Sequence, residues 1–156
     1  MDNNFQMLKE VDEVIRAFEA QRVRYALAGG FAVAIYGHVR ATKDMDYLCH
    51  PEDIELATDV LVEQGYKSFA KPWCFQESKI TLHRFMKPTG GEFFHVVDLL
   101  IPPQNCLEWI AQAQRVPWGD DAHINVVSKK HLVEMKRLRN SPMDQADITK
   151  LENDKS

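Results

Sequence analysis

Apolar residues recur at three- and four-residue steps between about Asn4 and Gln21, on Phe5, Leu8, Val11, Val14 or Ile15 and Phe18. That spacing predicts an amphipathic helix that covers one face of a sheet. A continuous apolar run, Tyr25 to Ala28, predicts a buried strand, followed by a tight turn at Gly29-Gly30 and a short helix over Phe31 to Tyr36 that Gly37 stops. A loop through Arg40 and Thr42 leads into a strand opened by Asp44-Met45-Asp46 and ending at Cys49. Pro51 suits a first helical turn, and the helix runs to about Gln64 on Ile54, Ala57, Val60 and Leu61 before Gly65 ends it. Strand patterns then take over: Tyr66 to Phe69, Trp73 to Gln76, Ile80 to Met86 and Phe93 to Ile101. The last two flank the turn Lys87-Pro-Thr-Gly-Gly91 and predict a β-hairpin. Beyond Pro102-Pro103, Cys106 to Gln114 reads as a helix and His123 to Val127 as a strand. Ser128 caps a helix to about Arg139, and Ser141-Pro142 opens a last helix to about Glu152.

The pattern adds up to an α+β fold, a mixed sheet of about five strands flanked by helices with a C-terminal helical tail. A chain of 156 residues has room for one substantial core, so residues 1–152 are read as a single domain and 153–156 as a disordered tail. Composition, 45% hydrophobic and 27% charged, is that of a soluble protein, and no apolar run approaches the roughly 18–20 residues of a membrane span. Met1-Asp2-Asn3-Asn4 lacks the basic and apolar regions of a signal peptide, so the expected location is the cytoplasm. Cys49, Cys74 and Cys106 are widely spaced and form no Cys-x-x-Cys pair, so they are read as buried apolar residues. A net charge of −4 argues against non-specific coating of nucleic acid, while leaving room for a local basic patch.

The candidate chemistry starts at Asp44 and Asp46, which alternation along a strand sends to one face while Met45 takes the other. Two carboxylates held that close repel unless a cation lies between them, and an all-oxygen ligand set favours Mg²⁺ or Mn²⁺ over zinc. Asp98 is the one acid in the apolar strand from Phe93 to Ile101. Either it lies at a strand end, capping a loop or pairing with a basic residue, or its strand neighbours the Asp44/Asp46 strand and completes a three-carboxylate site. Such a site could hold two Mg²⁺ ions that clamp a triphosphate and an attacking hydroxyl, with Asp98 accepting the proton or holding the activating metal. The Gly29-Gly30 turn offers unshielded backbone N–H groups to a phosphate. Together these parts describe phosphoryl or nucleotidyl transfer.

Ala28-Gly29-Gly30, a thirteen-residue spacer and Asp44-Met45-Asp46-Tyr47 resemble the signature of the polymerase-beta-like nucleotidyltransferase superfamily. Within it, Gly-Gly-Phe-Ala-Val-Ala and Tyr-Gly-His-Val-Arg-Ala-Thr-Lys-Asp-Met-Asp are similar to the small bacterial branch that includes AbiEii-type toxins and the minimal and antibiotic-modifying nucleotidyltransferases. The resemblance implies a nucleotidyltransferase fold, a triad of Asp44, Asp46 and Asp98, Mg²⁺ (or Mn²⁺), and transfer of a nucleoside monophosphate from an NTP such as ATP. It further implies a hydroxyl acceptor on tRNA or other RNA, a protein side chain or a small molecule, and a possible cognate antitoxin. The segment from Val127 to Lys136, with Arg139, Asp144, Asp147 and Leu151, is similar to the branch's C-terminal part. By that likeness Lys136 reaches the nucleotide phosphates and Asp147 fixes the site or the helix pair. Met143 departs from the branch, which often has lysine ahead of Asp144. Residues 65–89 match no motif, and substrate choice is expected there.

Arg40 and Lys43 flank the carboxylate strand and either meet phosphate or acceptor or lie in a solvated loop. His38, His83 and His95 have no ligand spacing and are read as packing or surface residues. Trp73, Trp109 and Trp118 could stack a base but are scattered like core or rim residues. Lys129, Lys130, Lys136, Arg137 and Arg139 form a basic helix, a solvated face unless Lys136 enters the site. Two other classes are weighed: a catalytically inactive binding or antitoxin module of the same fold, which has no need of three mutually repelling acids, and a phosphohydrolase, which would bring histidines to the carboxylates.

Overall fold

The computed structural model describes residues 3–38 and 42–153, without the side chains of residues 3–5. The expected roles of Arg40 and of the Phe5 side chain, and the expected tail beyond Asn153, lie outside the described residues. Helix α1 (Asn3–Gln21) leads into strand β1 (Tyr25–Ala28), helix α2 (Gly29–Ile35), strand β2 (Asp44–Cys49) and helix α3 (Ile54–Glu63), which a 3-10 turn at Pro51–Asp53 introduces. Strands β3 (Lys67–Ser68), β4 (Trp73–Cys74), β5 (Thr81–Pro88) and β6 (Phe94–Ile101) follow. Helix α4 (Glu108–Ala111), strands β7 (Gln114–Trp118) and β8 (Ala122–Val126) and helices α5 (Lys129–Arg139) and α6 (Pro142–Asn153) complete the chain.

All eight strands join one mixed sheet of order β3-β5-β6-β2-β1-β8-β7, with β4 also paired to β5. The expected five-strand sheet is its centre, β5-β6-β2-β1-β8; the two-residue strands β3 and β4 and the edge strand β7 extend it. β2 and β6 run parallel, as do β1 and β8, and the remaining neighbours are antiparallel. One sheet face packs on α1 and α3: Phe18 of α1 meets Tyr25 and Tyr47 edge-on or tilted at centroid distances of 5.5 and 5.4 Å. Val11, Val14, Ile15 and Phe18 are buried as their spacing requires, whereas Leu8 is 50% exposed. The hydrophobic stripe therefore narrows toward the first turns of the helix.

The expected helix over Cys106 to Gln114 is replaced by a 3-10 turn at Gln104–Cys106, the one-turn α4 and the β7–β8 hairpin. β7 pairs on one side only, which is where a strand tolerates Pro117, and the Trp118 indole donates to Asp12 at 2.7 Å to anchor it. Of the cysteines, Cys49 alone is buried; Cys74 is exposed on the short β4 and Cys106 partly so. Their expected common burial fails because Cys74 sits on a two-residue strand at the sheet's outer part and Cys106 in a surface 3-10 turn.

Candidate active site

Strand register assembles the acids. Asp46 on β2 lies beside Asp98 on parallel β6, Asp98 lies opposite Arg84 on β5, and Ala28 on β1 lies opposite Asp46. Alternation turns the side chains of Asp44, Asp46, Asp98 and Arg84 to one face, with Met45, Tyr47 and Leu99 packed on the other. The β1 strand stops at Ala28 because the next residue turns the chain into α2: Gly29 takes φ +62, and a β-carbon there would overlap the Asp46 carboxylate. Glycine is thus required both by backbone conformation and by close approach.

The electrostatics are unbalanced. Burial, reinforced by Asp98 and then Asp44, pushes the Asp46 carboxyl up to about 7 against the opposing pull of Arg139 and Lys136. Burial and the Asp98 charge also raise Asp44, although Arg84 and the exposed Lys43 act against them. Arg84 donates Nε–H to Asp98 Oδ1 at 2.8 Å and Nη2–H to Oδ2 at 2.9 Å, and its Nη2 lies 3.6 Å from Asp44 Oδ2. The fork raises the Arg84 pKa further. Both readings of Asp98 therefore meet in one residue: it pairs with a base and it adjoins the other two acids. As donors, Asp44 and Asp46 suit a hard divalent cation, whose charge would relieve the strain on Asp46. Asp98 spends both oxygens on Arg84, and among the described residues no three His, Cys, Asp or Glu side chains form a ready metal cage.

Helix α5, braced from behind by α6, closes the other side of a cavity of about 530 Å³, within the size range of small-molecule sites. Gly29, Asp44, Asp46, Arg84, Asp98, Lys136 and Arg139 line its polar end; Phe75, Ile80, Leu82, Leu100, Leu132, Met135 and Leu138 make an apolar wall. Lys136 is 4% exposed and places Nζ 3.1 Å from Asp147 and 3.9 Å from Asp144. Arg139 binds Asp144 through Nε at 2.7 Å and Nη2 at 2.6 Å. Burial alone would raise Asp144, but hydrogen bonds from Arg139 and Ser141 outweigh it and hold its carboxyl down at about 2. Ser128 caps α5 by accepting from the His131 N–H at 3.2 Å, so this wall is set by its own local signals.

The other expected residues divide. Gly30 is buried within α2. His83 and His95 project from the face opposite Asp98, so neither is a ligand candidate, and burial lowers the pKa of both. Trp73 is exposed, Trp109 is buried, and the cavity wall uses Phe75 instead of any tryptophan. The basic helix is partly spent internally, Lys129 over the Tyr36 ring and Arg137 on Glu152. Arg84 is the residue that reading the sequence missed. Its signal lay in the hairpin: with Pro88 opposite Phe94, counting back along β5 sets Arg84 opposite Asp98.

The model of the family described as "Uncharacterised nucleotidyltransferase" matches residues 1–135. Among solved structures, the chain resembles lincosamide antibiotic adenylyltransferase LnuA in its lincomycin-bound form, at 17% identity and TM-score 0.62 over 93% of this chain and 96% of that one. A protein described as a nucleotidyltransferase from Thermotoga maritima is 12% identical with TM-score 0.65 over 96% and 93% of the two chains. ANT(2″)-Ia in complex with adenylyl-2″-tobramycin is 13% identical with TM-score 0.58 over 94% and 87%. At these identities the likenesses establish the fold, and a search of curated proteins gave no match. The family match supports the nucleotidyltransferase superfamily and not the expected AbiEii-type branch. No helix among the described residues is long and apolar enough to cross a membrane.

Proposed function

The chain belongs to the nucleotidyltransferase family whose model covers its first 135 residues, and from that membership we propose that it transfers a nucleoside monophosphate from a nucleoside triphosphate to a hydroxyl acceptor. Three carboxylates on adjacent strands at the mouth of one cavity, with Asp46 pushed up to about 7, carry this reading. Asp44 and Asp46 would hold Mg²⁺ or Mn²⁺, which when bound draws the phosphate oxygens together and lowers the pKa of the acceptor hydroxyl. Lys136 and Arg139 lie on the wall facing Asp46 and would reach a triphosphate by giving up part of their pairing with Asp147 and Asp144. Gly29, which lines the cavity and has no room for a β-carbon beside Asp46, leaves its backbone open to a phosphate. Lys43 adds positive charge beside Asp44.

In the reaction the acceptor hydroxyl gives its proton to Asp98 as its oxygen bonds to the α-phosphorus, the bond to the bridging oxygen breaks, and pyrophosphate leaves with the electron pair. Asp98 stands next to this centre on the acceptor side. ATP is the proposed donor and a small hydroxylated molecule the proposed acceptor, because one structural neighbour is a lincosamide antibiotic adenylyltransferase bound to lincomycin, another is in complex with adenylyl-2″-tobramycin, and the cavity is of small-molecule size. An inactive binding module fits less well: it would keep a destabilising acid cluster without using it.

The test incubates the protein with each α-labelled nucleoside triphosphate, Mg²⁺ and separate pools of small hydroxylated compounds, RNA and protein. Label transfer that disappears in Asp44→Ala supports the enzyme. No transfer and no Mg²⁺-dependent nucleotide binding would remove it.

A further inference from the structure

We propose that Arg84 is a built-in cation of this site, so that a single divalent ion, at Asp44 and Asp46, serves where three carboxylates would otherwise hold two. The inference rests on the nucleotidyl-transfer reading and concerns the same cleft. The Arg84 guanidinium covers both Asp98 oxygens at 2.8 and 2.9 Å, and its Nη2 lies 3.6 Å from Asp44 Oδ2. It therefore occupies the space between Asp98 and Asp44 that an ion shared by those two carboxylates would need. A fixed positive charge there also repels a second divalent ion at close range.

The placement is set by the backbone. Arg84 and Asp98 are direct cross-strand partners in the β5–β6 ladder, whose pairing runs unbroken from Thr81↔Ile101 to Pro88↔Phe94. Leu82 and Leu100 lie opposite each other on the same face two residues away, so the ion pair has an apolar flank that limits its hydration. Asp98 is 3% exposed, and the side chain of Arg84 is 39% exposed toward the cleft. A planar fork matched to a carboxylate in this way holds Asp98 in one orientation, which a lysine could not do. Arg84 is thus a positioning residue for Asp98, and the acid pair left for metal is Asp44 with Asp46.

Mn²⁺ titration followed by electron paramagnetic resonance, with and without a non-hydrolysable triphosphate analogue, reads the stoichiometry directly. The expected result is one nucleotide-dependent Mn²⁺ per wild-type chain, and two in Arg84→Gln, with the second site tightened at least about tenfold by loss of the nearby charge. Arg84→Lys, which keeps the charge without the fork, stays at one. Two ions on the wild-type chain would overturn the inference without any variant, as would an Arg84→Gln protein, folded by circular dichroism, that stays at one. Absence of nucleotide-dependent Mn²⁺ on all three proteins would overturn the transferase reading itself.

Discussion

Two ionic clusters face each other across the cavity, and their charge balance differs. On α5 and α6, Lys136 and Arg139 meet Asp144 and Asp147, two bases for two acids, with Asp144 held down at about 2. On the sheet, among the described residues, Asp44, Asp46 and Asp98 share Arg84 alone at hydrogen-bonding or ion-pair distance, and Asp46 is pushed up to about 7. The first cluster resembles a clasp that joins two helices. The second is a deficit of positive charge, kept in place by packing from the rest of the sheet. Folding alone has no use for that deficit, and a charged substrate with its cation does.

The largest effect expected from this contrast is on activity. Asp46→Asn should reduce nucleotidyl transfer at least about 10³-fold, roughly 4 kcal/mol of barrier, while raising the thermal midpoint at pH 8 because a repelling charge is gone. A variant that keeps a tenth of wild-type transfer would show that the deficit is not where the chemistry occurs. Lys136→Met should instead cost about 3–5 kcal/mol of stability in urea denaturation, because it removes the base of a buried ion pair and takes the ammonium at 3.1 Å away from Asp147. A loss below about 1 kcal/mol would mean that the helix clasp is not closed by charge.

Opposite pH dependences sharpen the contrast further. Asp46 binds its proton more tightly in the folded than in the unfolded chain, so its contribution to stability declines as pH rises from about 4, the unfolded carboxyl value, to about 7. Asp144 is the reverse: its contribution is complete above about 4 and is lost as pH falls toward 2. Denaturant titrations across this range should show the decline between pH 4 and 7 flattened in Asp46→Asn. Mg²⁺ should stabilise the wild type at pH 8 and have little effect at pH 5, where Asp46 is protonated; an equal thermal shift at both values would place the ion elsewhere. The smallest effect is expected at the cap. Ser128→Ala should cost about 1 kcal/mol, since it removes a hydrogen bond at the start of the helix both clusters use.

Much of this could be read from residue order. Period-two alternation set Asp44 and Asp46 on one face, Gly65 ended α3 with φ +95, and Ser128 began α5. The hairpin around Thr89 to Phe93 was visible in its turn residues. The α4–β7 region was not, because Cys106 to Gln114 has helix-like apolar spacing while Pro117 argues against a central strand. It becomes a strand through pairing with β8 at the sheet edge. Lys136 was expected at the phosphates from family likeness; the structure sets it on the cavity wall but commits its ammonium to Asp147 and Asp144.

By itself the sequence determined which residues could share a face and where elements start and stop, because alternation, caps and turns are properties of neighbours in the chain. Only the tertiary structure decided which charge answers which. Arg84 stands on Asp98 through strand register, and Arg139 and Lys136 stand on Asp144 and Asp147 through helix packing. Among the described residues the same structure leaves Asp46 without a cation at ion-pair distance, since that shortage arises only when strands from distant parts of the chain come side by side.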